Sequence, residues 1–140
     1  FVEVKIDEDF GMVHVTRVVS AVAAGLIVNP RTAENQVRGA VVWGIGQALH
    51  EEAQFDHRIG RIMNHSLAEY HIATQADVGK IDVIFVHEDD SEVNPIGVKG
   101  VGEIGIVGVA AAIANAVFHA TGRRLRSLPM TPDKVLGLVG

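Results

Sequence analysis

The stretch from Asn94 to Pro129, NPIGVKGVGEIGIVGVAAAIANAVFHATGRRLRSLP, constrains this chain more than any other. Five glycines fall between Gly97 and Gly108, and one carboxylate, Glu103, sits among them. An almost uninterrupted apolar run follows. After Gly105 it reads as a buried helix ending near Thr121–Gly122, with Gly122 as its C-cap. From Ile104 to Val117 the run is broken by Asn115 and built mostly from Ala and Gly, and it falls short of the ~20 residues a bilayer span takes. The fold must therefore carry one carboxylate through a side-chain-poor turn to the head of a buried helix.

The pattern around this segment is mixed. Val2, Val4 and Ile6 alternate with Glu3, Lys5 and Asp7, EDFG reads as a turn closing at Gly11, and Val13, Val15 and Val18 continue as a second strand, which predicts an antiparallel hairpin. Asn29–Pro30 is a helix start, with Asn as N-cap and Pro at the first helical position. Ala33, Val37, Ala40, Val41, Gly44 and Ala48 recur at helical spacing. Between Gly39 and Leu49 the helix is apolar nearly all round, which predicts enclosure on most sides. Gly39, Gly44 and Gly46 each cost a helix ~1 kcal/mol relative to Ala, so another backbone or a ligand is expected close by.

AQFDHRIGRIMN reads as a second hairpin turning near Arg58–Gly60, and HSLAEYHIATQADVG as irregular. KIDVIFVHED is a strand, apolar from Ile81 to Val86, and a polar link from Asp89 to Pro95 follows. RRLRSLP is extended. TPDKVLGLV is a last short helix with Thr131 as N-cap and Pro132 at its first position. The expected fold class is α+β: one domain over residues 1–140, with a mixed or antiparallel sheet and two long buried helices. Phe1 falls inside a strand-like run, which we read as a start within a longer polypeptide.

Composition removes several classes. Apolar residues make up 48% of the chain and charged residues 21%, which argues for a packed domain. A net charge of −5 argues against a nucleic-acid surface, and no membrane segment is expected. There is no cysteine, so disulfides, thiolate metal sites, a Cys nucleophile and an iron–sulfur cluster are excluded on this chain.

Gly100, Gly102 and Gly105 spell G-x-G-x-x-G, in which backbone N–H groups at a helix N-terminus hold a pyrophosphate. The strand that should lead straight into the first glycine and the acidic residue ~20 positions later are both missing. Arg123, Arg124 and Arg126 could take a 2′-phosphate instead. A second reading keeps a glycine nest with Lys99 beside it, for phosphate or a polar heterocycle, and puts Glu103 in the first helical turn, facing what the nest holds. There Glu103 either complements the helix dipole or acts as a general base between burial and dipole. An NADP-type nucleotide module using Gly100–Gly105 remains open on these residues, and so does a non-catalytic assembly domain with Ala110–Val117 as a packing helix.

NPIGVKGVGEIGIVGVAAAIANAVFHATGRRLRSLPMTPDKVL resembles the C-terminal end of the molybdenum-binding subunit of the xanthine dehydrogenase/aldehyde oxidase family, nearest to the bacterial aldehyde oxidoreductases. GLIVNPRTAENQVRGAVVWGIGQALHEE resembles the helix that passes under the pterin there, and AEYHIATQADVGKIDVIFVHEDD the stretch joining the two. The resemblance implies hydroxylation of an aldehyde or heteroaromatic carbon with oxygen from water. It implies a molybdenum–molybdopterin cofactor in the cytosine dinucleotide form, with no protein residue bound directly to the metal. Glu103 is implied as the base that takes the proton from the molybdenum-bound hydroxide.

The implied cofactor contacts are Gly44, Gly46 and Gln47 on the first long helix, and Gly97, Lys99, Gly100, Val101 and Gly102 in the glycine segment. Implied partners are the rest of the molybdenum subunit, iron–sulfur and flavin subunits or domains carrying [2Fe–2S] and FAD, and a small-molecule substrate. The piece alone is expected to be inactive, and its implied compartment is cytoplasm or periplasm. Many family members have Gln where this chain has Trp43, so Trp43 is expected in core packing or a cavity wall.

The remaining candidates have plainer readings. His65 and His71 are expected as loop or core histidines, Glu88 to Asp90 as a solvated strand end, and Arg123, Arg124 and Arg126 as surface or interface charges. Ser20 and Ser66 lack a nucleophile elbow. His119 is expected to complement the end of its helix.

Overall fold

The computed structural model describes residues 1–138. Val139, the last residue of TPDKVLGLV, and Gly140 lie outside the described residues. β1 (Val2–Asp7) and β2 (Met12–Val22) form the expected antiparallel hairpin, turned at Gly11. The register shifts between Glu3 and Val4: Glu3 faces Arg17 while Val4 faces Val15. Thr16 is thus the extra residue of a β-bulge. This explains why the buried positions of β2 pass from Val15 to Val18 rather than to Arg17.

β5 (Val78–Phe85) pairs with β2 in parallel, giving the sheet order β1-β2-β5. A parallel pair needs a crossover between its strands, and α1 (Pro30–Leu49) supplies most of it. The Asn29 side chain accepts a hydrogen bond from Thr32 N at 3.3 Å and so caps α1, with Pro30 at its first position. β3 (Phe55–Asp56) and β4 (Arg61–Ile62) form a two-residue ladder turned at Gly60.

α2 (Val109–Thr121) ends at Gly122, which takes the left-handed conformation and donates to Phe118 O at 2.7 Å. Its start corrects the expected one: residues 102–108 form successive turns and the helix begins only at Val109. The helices are also less enclosed than expected. On α2 only Val109, Ile113 and Val117 are buried, a single i, i+4, i+8 stripe. On α1, Gln36, Gly39, Trp43 and Gln47 are exposed along one flank, and Trp43, expected in the core or a cavity wall, is 61% exposed. α3 (Pro132–Leu136) follows Thr131, whose side chain makes no capping bond.

The architecture is the expected α+β class: a mixed three-stranded sheet with the two long helices side by side on one face. One core joins Val15 and Val18 of β2, Ile81 of β5, Val41 and Ile45 of α1, and Val109, Ile113 and Val117 of α2. On the far face of the sheet Arg17 and Lys80 pair with Asp82 at 2.8 and 3.0 Å. Among the described residues, no helix is long and apolar enough to cross a membrane.

Candidate functional site

The chain between β5 and α2 folds back across the start of α1 and is fastened at several points. The Asn94 side chain organises the first turn. Its Nδ2 donates to Val98 O at 2.7 Å, and its Oδ1 accepts from Ile96 N and Val98 N at 3.2 and 3.3 Å. Gly97 follows with φ +64, and its carbonyl accepts from Leu26 N at 2.8 Å. Gly25, opposite Val98, has φ +63, and a Cβ there would run into the Gly97 carbonyl. Only glycine meets both requirements at position 25.

Lys99 Nζ then lies between two carboxylates, 2.8 Å from Glu88 Oε1 and 2.7 Å from Asp90 Oδ2. The second oxygen of Glu88 accepts from Gly25 N at 2.9 Å. Hydrogen bonding to Lys99, and for Glu88 also to Gly25 N, holds both carboxyls below the usual carboxylate range. Asp90 and then Glu88 raise Lys99 in turn.

Beyond this clamp Val101 packs into a small cluster with Val22, Ala24 and Val37. Gly105 is pressed against α1, where a Cβ would lie 2.9 Å from Ala40 Cβ. Gly102, Glu103 and Ile104, between these two contacts, are exposed. The Glu103 carboxylate makes no hydrogen bond or ion pair among the described residues, while its backbone carbonyl accepts from Ile106 N at 3.3 Å. The amide groups from Gly100 to Ile104 donate to no other group there either. The segment is thus a bridge pinned at both feet, with Glu103 near its crest. It separates two hollows. One, of about 270 Å³, is lined by Lys99 and Val101 with Asn29, Thr32 and Gln36. The other, of about 420 Å³, is lined by Ile104, Gly105 and Gly108 with residues 18–23 of β2 and its end.

These placements divide the expected site residues. Gly97, Lys99, Gly100, Val101, Gly102 and Glu103 do come together on one bridge, but Glu103 is not in a first helical turn, since α2 begins six residues later. Lys99 is not a free cation beside a nest, because two carboxylates neutralise it. The Val101 side chain points into packing, which leaves only its backbone facing outward. Gly44 and Gly46 are not brought to the bridge. Gly44 lies against Val109, whose Cβ would stand 2.5 Å from an added Cβ, and Gly46 is covered by Glu51 and Ala73. Gln47 is exposed on the open flank of α1 and lines neither hollow.

The run Glu88 to Asp90, expected as a solvated strand end, instead supplies both partners of Lys99. Asn94 and Gly25 also hold the bridge, though neither is among the expected site residues. The N-P-x-G spacing was a readable turn signal for Asn94, whereas nothing local marks Gly25. Among the described residues, no three His, Asp or Glu side chains are grouped so as to hold a metal ion.

The dinucleotide arrangement does not form. β5 ends at Phe85, well before Gly100. Arg123 and Arg124 lie past the far end of α2, a 13-residue helix about 20 Å long. They are occupied there: Arg123 donates to Val135 O at 3.0 Å, and Arg124 donates to Asn115 at 2.6 Å while stacking on Phe118. Glycines and arginines cannot share a phosphate across that distance.

Comparison with known proteins agrees with this architecture. A family profile described as the molybdopterin cofactor-binding domain matches residues 1–79. Over 136 residues, 97% of this chain, the sequence is 48% identical to the aldehyde oxidoreductase molybdenum-binding subunit PaoC of Escherichia coli (strain K12). It is 37% identical over 135 residues to the putative xanthine dehydrogenase molybdenum-binding subunit XdhA of the same organism. The chain spans about a fifth of the length of these relatives, 19% and 18% respectively. The crystal structure of the aldehyde oxidoreductase from Desulfovibrio desulfuricans superposes on 98% of this chain with a TM-score of 0.86 and 27% identity, over 15% of its own length. With family profile and fold in agreement, the chain belongs to the molybdopterin cofactor-binding domain family, and it is similar to part of the molybdenum-binding subunits of a xanthine dehydrogenase and an aldehyde oxidoreductase.

Proposed function

We propose that this chain forms one wall of the cofactor site of a molybdenum hydroxylase, with Glu103 as the general base. The observation that carries this reading is the bridge itself. Its feet are fixed on α1 and on the Lys99 clamp, while its crest offers a carboxylate and a strip of amide N–H groups that the protein does not use.

The residues present fit a flat polar cofactor in part. The unclaimed N–H groups from Gly100 to Ile104 are donors for its polar edge, and nothing lies within 4 Å of the Cβ positions of Gly100 and Gly102, so a ring system can approach the backbone closely. Gly44, Gly46 and Lys99 do not fit, because their contacts are filled from within the chain. When bound, the cofactor supplies the metal that activates water-derived oxygen and takes up the substrate's electrons. Glu103 then accepts a proton at its carboxylate, and the unpaired state of that carboxylate leaves it free to do so. Ile104 and Val107 present apolar surface beside it, which the rest of the subunit would close against water.

The same proposal extends to the neighbours. The substrate is an aldehyde or N-heterocycle, the cofactor the cytosine dinucleotide form, and the electron acceptors [2Fe–2S] centres and FAD. With no cysteine on this chain, iron–sulfur ligands must come from other domains or subunits. Replacing Glu103 by Gln in the complete enzyme is expected to leave molybdenum content intact and lower kcat by ~10²–10⁴, the usual contribution of a positioned base. Near-normal turnover in a molybdenum-replete Glu103→Gln enzyme would refute the assignment.

A further inference from the structure

Between Lys99 and Gly105 the bridge has few means of fixing the direction of Glu103. Gly100 and Gly102 have no side chains, and Val101 and Gly105 are held by apolar contact, which resists separation but not rotation. The side-chain fastening is all at the near foot; past the crest there is only the backbone bond from Ile106 N to Glu103 O at 3.3 Å. Lys99 Nζ bonds Glu88 Oε1 and Asp90 Oδ2, and Glu88 Oε2 accepts from Gly25 N. Three stretches of chain are joined by these bonds: the first half of the β2–α1 connection, the link after β5, and the start of the bridge. The ammonium also keeps Glu88 and Asp90 together. Without it, two carboxylates drawn to one point repel each other, and the link would part from the bridge.

We propose that Lys99 is a positioning residue for Glu103, its clamp on Glu88 and Asp90 setting the foot from which the bridge aims the carboxylate. This rests on the reading of Glu103 as the base. Lys99 touches no reacting atom; it acts through the six-residue span to Gly105.

The test uses the complete enzyme purified with its natural partners, in the variants Lys99→Met, Lys99→Arg, Asp90→Asn, Glu103→Gln and the double variant Lys99→Met/Glu103→Gln. Lys99→Met is expected to lower kcat about tenfold, the scale of a small misplacement, with KM within about twofold. Lys99→Arg should recover most of the loss. The double variant should be no slower than Glu103→Gln alone, because a residue that acts only through Glu103 has nothing left to position. Independently of turnover, hydrogen exchange over residues 96–106 should quicken in Lys99→Met while exchange across α1 stays unchanged.

Wild-type exchange over 96–106, penalties that multiply in the double variant, or an Arg variant no better than Met would each overturn the proposal. Should Lys99→Met fail to assemble, Asp90→Asn carries the same comparisons with half the clamp removed. A slow Glu103→Gln beside a wild-type Lys99→Met removes the positioning role alone; a fast Glu103→Gln removes the base and the positioning role together.

Discussion

Lys99 shares its charge with two carboxylates, so the foot of the bridge responds to pH at both ends of the scale. Glu88 and Asp90 are held below their usual range by Lys99, and Lys99 is raised by Asp90 and Glu88. A carboxyl lowered on folding contributes stability that is complete above its unfolded pKa and lost as pH falls through the folded one. A raised ammonium contributes stability that is complete below its unfolded pKa and lost as pH rises through the folded one. The clamp therefore stands intact through the neutral range and opens in acid, below the ordinary carboxylate range, and in alkali, above the ordinary lysine range. Gly25 N, bonded to Glu88, is a direct reporter. Its amide resonance is expected to titrate with an acidic midpoint below that of an exposed glutamate, and a midpoint at the ordinary value would contradict the pairing. Salt should weaken the effect, since all three side chains are partly exposed. At this scale Glu103 stood out in the sequence as one carboxylate among glycines and apolar residues, but the burial expected for it does not occur: the residue is exposed, and its role as base is a proposal. The partners of Lys99 were not legible. Local composition makes Glu88 to Asp90 a solvated strand end, and spacing along a chain does not say which separated charges a reversal of the link will bring together.

The two long helices meet through Gly44 rather than across a cofactor. Val109, the first residue of α2, fills the space a side chain at position 44 would need, its Cβ standing 2.5 Å from an added Cβ. Gly44→Ala gains ~1 kcal/mol of helix propensity but forces α2 outward against a well-packed core, and overpacking costs ~1–3 kcal/mol. A net loss of stability is expected, read as a lower unfolding midpoint in denaturant; an Ala variant as stable as the wild type would show that α2 yields freely. The glycines of α1 were legible as a sign of close approach, though not of what approaches, since a helix partner and a ligand demand the same missing side chain. Caps were legible wherever their chemistry is local, as at Asn29–Pro30 and Gly122. The start of α2 was not. Ile104, Ile106 and Val107 have the composition of a buried helix, and Gly108 at the true N-cap offers no side-chain bond to mark the boundary.

Across the whole molecule, α1 and α2 cover one face of the sheet and leave much apolar surface uncovered. Trp43 is 61% exposed, Ile96 65% and Val107 82%; where exposed apolar residues form a contiguous patch, such surfaces are often covered by other chain. The nearly all-apolar second half of α1 promised enclosure, yet the flank carrying Gln36, Gly39, Trp43 and Gln47 is open within these residues. The chain spans about a fifth of its relatives' length, and on the proposed function the rest of a molybdenum subunit would close the flank. Because Trp43 is the only tryptophan, this has a direct optical test on the chain by itself. Its emission should be that of a solvated indole and should be quenched readily by acrylamide. Trp43→Ala should move the unfolding free energy by no more than ~0.5 kcal/mol, as for other surface substitutions. On the proposed reading, the same substitution in a complete molybdenum subunit removes an anchor that neighbouring polypeptide would bury, and there a loss of several times that size is expected, of the order seen for a buried aromatic truncated to Ala, ~3–5 kcal/mol. A shielded indole in the isolated chain, or equal effects in the two contexts, would mean that the flank is not a contact surface for the rest of the subunit.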